Sequence, residues 1–436
     1  MKMDRFKDFD RDVRDAVLRF EKGRDGAGTF FDVEELLMII DYYLEVQDLE
    51  GLEAAVVCAE GLYPSNVEVK LRRAHLLSIE GRYTESMKML QELEQTEPEN
   101  TDVSYAKGAV YSMMDQSEKA IQCYLRAAAD GYELDMIYGN VGDEYYKLGQ
   151  RDKAIHYYRK AIAVNPDERR SLFNLACSLE ENGEGDKGVD YLKEVVEQHP
   201  YSKWAWYSLG CLYEWRELYE RAADAFEFAI AIDRTLGEAY EGLSKSYASL
   251  GQRGRAAQAL RDWLEVADDR AYVLFCIGSL FFDDANYHTA SVYFQKSLKE
   301  DACYSSAWRY LGLCSERLGY TDEAAGYYRR AIDVNPDNDV NWLSLGDLYI
   351  SQNRFAEALS LLQSGRHEAE CISDFDMRLC YCLFRLGKRE QVKEMINTPH
   401  EDDPMLYVDM LSYYSDMGAD PEIAALVFQK YKNEEK

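Results

Sequence analysis

Proline and glycine are scarce, at 8 and 27 of 436 residues, which excludes a disordered or loop-dominated chain. Long apolar runs are missing too: nothing approaches the roughly 18 uninterrupted apolar residues of a membrane span. The ten cysteines contain no C-x-x-C pair and the six histidines no H-x-x-x-H pair, so neither a disulfide framework nor a zinc motif is written here. Reduced thiols make the cytoplasm the expected address. Basic side chains fall short of acidic ones, 50 against 80, and the formal charge of −30 repels nucleic-acid backbones and anionic membrane surfaces. A basic or neutral protein segment suits that surface better. The opening MKMDRFKDFDRDVRD carries charges every two or three residues and no apolar core region, so it does not read as a secretory signal.

Hydrophobic residues make up 47% of the chain, enough to bury a core, yet 436 residues are too many for one ordinary globular core. Either several domains or an extended array is expected. The stretch YYRKAIAVNPD at 157–167 returns as YYRRAIDVNPD at 327–337, five times 34 residues later. Six of the eight prolines, Pro64, Pro98, Pro166, Pro200, Pro336 and Pro404, are separated by multiples of 34. Six glycines, Gly81, Gly149, Gly183, Gly251, Gly319 and Gly387, share another phase. Eleven consecutive units therefore run from 33 to 406 without insertion, starting at 33, 67, 101, 135, 169, 203, 237, 271, 305, 339 and 373. Their eighth position is small in ten, from Ala74 to Cys380, with Ile40 the exception; their twentieth is Ala, Ser or Gly in nine, from Ser86 to Ala358.

Within a unit, Tyr138, Val141 and Tyr145, then Ala154, Ile155, Tyr158, Ala161 and Ile162, recur at steps of three and four, which predicts two amphipathic helices. Gly149 stands where the first helix must end and the chain turn, and Pro166 stops the second. Small residues at positions 8 and 20 let the two helices approach closely, and a hairpin that cannot bury its apolar face alone must stack on neighbours. Residues 1–32 read as an N-terminal cap, with Phe6, Phe9, Val13, Ala16 and Phe20 on one stripe and Asp32 with Glu35 as a capping box; residues 407–436 read as a closing helix pair broken at Gly418 to Pro421.

The pattern of bulky residue, Leu, Gly, Tyr, Ala, aromatic, Ala and Pro resembles the tetratricopeptide repeat, as in Trp206, Leu209, Gly210, Tyr213, Ala222, Phe226 and Ala229, or Trp308, Leu311, Gly312, Ala324, Tyr328, Ala331 and Pro336. The resemblance implies an all-α solenoid: a right-handed superhelix of antiparallel helix pairs, with the first helix of each pair lining a concave groove. Trp263 and Pro399 occupy the usually small position 27, so packing must differ locally there.

No catalytic constellation is found. The string Gly23 to Gly28 lacks the lysine of a phosphate loop, and Cys380 and Cys382, two apart on a helix, do not face each other. Of the histidines only His75 falls on a groove position, where a lone imidazole is read as a contact or surface residue. No cofactor or metal is expected.

In the resemblance, positions 2, 5, 9, 12 and 13 of each first helix face the groove. Here they supply Tyr105, Phe173, Trp204, Tyr207 and Trp215, then Tyr272, Phe275 and Phe282. Glu180, Glu181 and Glu214 are expected to rim an apolar pocket with negative charge, so residues 170–215 are read as holding a partner segment with a hydrophobic anchor and adjacent Lys or Arg. The competing reading of position 5 is packing between neighbouring first helices. The family's clamp for acidic chaperone tails, with Lys at position 5 and Asn at position 9, is matched by no unit. The leading expectation is a non-enzymatic scaffold or adaptor; a non-catalytic regulatory subunit of an enzyme complex is the alternative, and self-association through an exposed groove or end is left open.

Overall fold

The computed structural model describes residues 11–23, 31–131, 133–366, 372–397, 411–412 and 414–434. Every regular element among them is a helix, and successive helices pair and stack in the order of the chain, so the fold is an all-α solenoid. Two compact bodies are formed, Met1–Asp233 and Arg234–Lys436.

In the first body, Arg11–Gly23 precedes six pairs: Val33–Glu45 with Leu49–Leu62, Val67–Ile79 with Tyr83–Thr96, Thr101–Met113 with Ser117–Ala127, Leu134–Lys147 with Arg151–Val164, Arg169–Glu181 with Gly185–Gln198, and Lys203–Trp215 with Tyr219–Ile232. The second body holds Gly237–Ser249 with Arg253–Val266, Arg270–Asp283 with Tyr287–Glu300, Ser305–Arg317 with Thr321–Val334, Asp339–Ser351 with Phe355–Gly365, and Ile372–Arg385 with Arg389–Asn397. Ser415–Gly418 and Pro421–Glu434 close it.

The local reasons for these elements repeat. Proline ends a second helix, and two residues later a polar side chain caps the next first helix: Asn66 accepts from Val69, Asn100 from Val103, Glu168 from Ser171, Ser202 from Ala205 and Asn338 from Val340. Asp32 and Glu35 form the reciprocal capping box read from the sequence. Val17 and Phe20 of the opening helix are buried, and Phe20 meets Phe31 and Tyr43 edge-on at 5.8 and 6.3 Å. Phe6, Phe9, the 24–28 part of the glycine string, Pro399 and Pro404 lie outside the described residues.

In several pairs the core is an aromatic ring set on a glycine. A methyl group at Gly142 would stand 2.5 Å from Tyr158, at Gly210 2.6 Å from Phe226, at Gly278 2.5 Å from Phe294 and at Gly312 2.4 Å from Tyr328. Those four rings are fully buried, each contributing roughly 1.5–3 kcal/mol by area. Trp263 obeys the same exchange of volume: its indole would meet a methyl at Gly237 at 2.5 Å, so a glycine at the first position makes room for a tryptophan at the twenty-seventh.

Candidate functional site

Three first helices of the first body, Thr101–Met113, Leu134–Lys147 and Arg169–Glu181, wall a cavity of about 480 Å³. Its polar side chains recur from repeat to repeat: Asn140 and Asn174 share the sixth position, Asp143 and Cys177 the ninth, Glu144 and Ser178 the tenth, Lys147 and Glu181 the thirteenth. Each thus enters from the same helix face at a different height.

The groups cross-link the repeats. Asp143 accepts from Tyr158 Oη at 2.8 Å and from Asn174 Nδ2 at 2.9 Å, and Arg170 stands 3.5 Å away. Arg170 also donates to Asn140 Oδ1 at 2.7 Å, and Asn140 donates to Tyr105 Oη at 3.0 Å. Glu144, only 2% exposed, takes one oxygen to Lys147 Nζ at 2.8 Å and Ser112 Oγ at 2.5 Å. Ser117 also hydrogen-bonds this carboxylate, while the fully buried Ser178 Oγ finds no hydrogen-bond partner among the described residues.

Burial pushes the Asp143 carboxyl up, against the pull of Arg170, Tyr158 and Asn174. Burial would raise Glu144 as well, but Lys147, Ser112 and the nearby Ser117 outweigh it and hold that carboxyl below its usual range. The Cys177 thiol is pushed up to about 11 by burial and then by Glu181, so it is protonated near neutral pH and a poor nucleophile.

Of the groove residues named from the sequence, only Glu181 lines this cavity. Tyr105 lines a second one, of about 610 Å³, with His75, Leu71 and Met113. Phe173 and Trp215, from neighbouring first helices, are 37% and 41% exposed and meet edge-on at 5.9 Å. They form an open aromatic pair, with Phe173 one turn from Arg170 and next to Asn174 in the chain. Tyr105 instead packs on Tyr124 at 5.5 Å, and Tyr207 on Phe226 at 5.8 Å and on Trp204 at 5.7 Å. In the second body, Phe275 meets Phe294, Tyr304 and Tyr310 within 5.4 Å, Phe282 meets Tyr287 and Tyr310 at 5.3 Å, and Tyr272 meets Trp263 at 5.9 Å. At position 5, Tyr105 and Tyr207 pack on rings of their own second helices, not between neighbouring first helices as the competing reading had it; Phe173 leans on Trp215 of the next first helix and stays open.

Two glutamates of the expected acidic rim are taken up in ion pairs. Glu180 turns to Arg216, 3.7 Å away, and its carboxylate sits where a side chain at Gly185 would be. Glu181 accepts from Tyr146 Oη at 2.8 Å and pairs with Arg151 at 3.2 Å, which together lower its carboxyl. Glu214 is half-buried. Trp204 carries Arg169 over its ring at 4.3 Å, and it lies eleven residues, roughly 16 Å of helix, from Trp215, so the two indoles cannot share one pocket.

Glu144 was missed, although its signal is in the sequence. The tenth position of the other units holds Tyr42, Leu76, Val110, Ser178, Leu212, Ser246, Leu280, Cys314, Leu348 and Cys382; an acid there is a charge placed in a core phase.

Two tetratricopeptide repeat family models match the chain, one at residues 142–203 and 277–339, the other at 317–370. Tetratricopeptide repeat protein 37 of Xenopus laevis is 38% identical over 56 residues, 12% of this chain and 4% of the relative. Tetratricopeptide repeat-containing protein trd-1 of Caenorhabditis elegans is 26% identical over 121 residues, 28% of this chain and 16% of the relative. The chain thus spans only a small part of the length of these relatives. Among solved structures, a chain in the crystal structure of the APC/C hetero-tetramer Cut9-Hcn1 aligns over 96% of this chain and 93% of its own at 14% identity and a TM-score of 0.36. The crystal structure of MamA aligns over 37% of this chain and 95% of its own at 25% identity and a TM-score of 0.31.

Proposed function

Because the chain is a tetratricopeptide repeat protein, and such proteins are generally interaction scaffolds, we propose that its first body binds an extended or helical protein segment along the first helices of residues 101–215. The observation that carries this reading is the open Phe173–Trp215 pair beside a polar cavity. Two exposed rings in edge contact form a ready surface for an aliphatic or aromatic anchor, and large aromatics of this kind dominate interface energies. Asn174, next to Phe173, and the polar groups of the cavity it lines can pair with the polar parts of the same segment. The protein acts without chemistry of its own, as a scaffold or adaptor, with a cytoplasmic address drawn from its cysteine usage. Among the described residues no helix is long and apolar enough to cross a membrane.

Selection of a random peptide library on the full chain tests the reading. Enriched peptides are expected to share an aromatic or aliphatic anchor, and Phe173→Ala with Trp215→Ala should weaken them roughly tenfold or more without loss of helicity. Binding indifferent to both substitutions, or crosslinks confined to the second helices of the pairs, refutes it.

A further inference from the structure

We propose that the cavity between the first helices Val67–Ile79 and Thr101–Met113 receives an apolar side chain of the bound segment, with a lysine or arginine next to it in that segment. The proposal rests on segment binding as read above and adds a second anchor to the one that meets Phe173 and Trp215.

The lining selects for such a guest. The space measures about 610 Å³, within the range of about 300–1,000 Å³ common to ligand pockets. Of its apolar walls Leu71, Leu90 and Val110 are buried, Tyr105 and Ala109 are half-buried and Met113 is 43% exposed, so the space opens toward water. An apolar side chain is favoured there because it takes those surfaces out of water. The charges of the lining do not cancel. Arg72, the only lysine or arginine among them, is held by Asp41 at 2.8 Å, and Glu68 stands 4.0 Å from it. Asp102 and Glu133 are exposed, and neither carboxylate has an ion-pair or hydrogen-bond partner among the described residues. Both are open to a guest, and a cation beside the apolar anchor satisfies them.

The backbone at Glu133 is a second, independent observation. In the first body the proline phase runs through Pro64, Pro98, Pro166 and Pro200 and is broken at 132, where the sequence has tyrosine. There the second helix ends at Ala127 in a short 3-10 turn, Gly131 takes φ 79°, and Glu133 starts the next first helix at φ 48°. Asn66, Asn100, Glu168 and Ser202 start other first helices with side chains that cap them, whereas the Glu133 side chain caps nothing. Every other non-glycine residue of positive φ among the described residues stands at a joint within a repeat. Strain of this kind persists where the placing of a side chain matters, and here it sets a free carboxylate on the cavity. The row of first helices also fixes a spacing. Thr101–Met113 and Arg169–Glu181 are two steps apart, at least roughly 16 Å at 8–10 Å per packed helix, and a chain covers at most about 3.6 Å per residue. The two anchors therefore stand no fewer than about five residues apart in the segment.

The random peptide selection carries the test, run on the full chain and on its variants. Enriched peptides are expected to hold a second aliphatic or aromatic residue at least about five positions from the first anchor, with Lys or Arg adjacent to it. Ala109→Trp, which fills the cavity, and Met113→Lys, which changes an exposed side chain, should each weaken those peptides roughly tenfold and erase the second anchor from a fresh selection. Glu133→Gly suits the positive φ and removes one carboxylate; combined with Asp102→Asn it should lose the basic preference and keep the helicity of the parent. Peptides with one anchor only, or binding indifferent to both Ala109→Trp and Met113→Lys, overturn the proposal, and so does a basic preference that survives the loss of both carboxylates. Single-anchor peptides that still need Phe173 and Trp215 sink this subsite alone. Peptides that lose affinity with Ala109→Trp but ignore Phe173→Ala and Trp215→Ala sink the earlier reading alone, and a library from which nothing binds sinks both.

Discussion

At the residue scale, the surroundings of three ionisable groups on the first helices shift them in different directions. Asp143 is raised because burial wins, Glu144 is lowered because its donors win, and His75 is lowered because burial and Arg72 together outweigh Asp41. His75 is exposed at the groove surface, so the direction of its shift carries through while its effect on stability is small. An unfolded chain takes up the proton near 6.5, while the folded chain resists it until a lower pH, so acidification between the two values favours unfolding. Its contribution to stability is intact above 6.5 and declines as pH falls through that window. A proton NMR titration should place the His75 midpoint below 6.5, and His75→Gln should remove part of the stability lost between pH 7 and 5; a midpoint at or above the ordinary value contradicts this. The sequence indicated that His75 faces the groove, but not that it shares a cavity with Leu71, Tyr105 and Met113, because that juxtaposition depends on the approach of two repeats.

At the element scale, the joint between the two helices of a repeat is the most uniform feature. Gly81, Gly149, Gly183, Gly251, Gly319 and Gly387 all take positive φ, between 70° and 84°. In the remaining repeats Gln47, Asp115, Glu217, Ala285 and Asn353 adopt the same conformation, at 54° to 60°. A side chain there is strained by about 1–2 kcal/mol, partly offset by the smaller entropy loss of a non-glycine residue. Ala285→Gly should therefore raise stability by about 1 kcal/mol and Gly251→Ala lower it by a similar amount in urea denaturation; opposite signs would show that the turn is set elsewhere. The helices and turns were legible in the sequence because they rest on short-range chemistry that recurs along the array, as in Gly149 and Pro166, and so was the capping box of Asp32 with Glu35. Which aromatic residues stay open was not. Phe173 and Phe275 occupy the same phase, and only the partner ring, Trp215 for one and a cluster of Phe294, Tyr304 and Tyr310 for the other, separates a surface from a core.

At the scale of the whole molecule, stability is a sum of neighbouring interfaces opposed by self-repulsion of a chain at −30. Raising sodium chloride from low ionic strength to about 0.15 M shortens the screening length to about 8 Å, so the thermal midpoint should rise; a falling midpoint would mean that ion pairs such as Arg378–Asp347 and Lys203–Asp233 outweigh the repulsion. The left-handed joint carries a further consequence. Glycine, glutamine, glutamate, aspartate, asparagine and alanine all serve at that point, so the backbone path is held constant while the residue is free to vary. Any cut made at one joint finds an identical path at every other, and a block of 34 residues removed or duplicated within a body leaves matched ends. The echo between residues 157–167 and 327–337 is then what a chain lengthened by copying whole blocks would retain, with divergence permitted first where no neighbour depends on the letter.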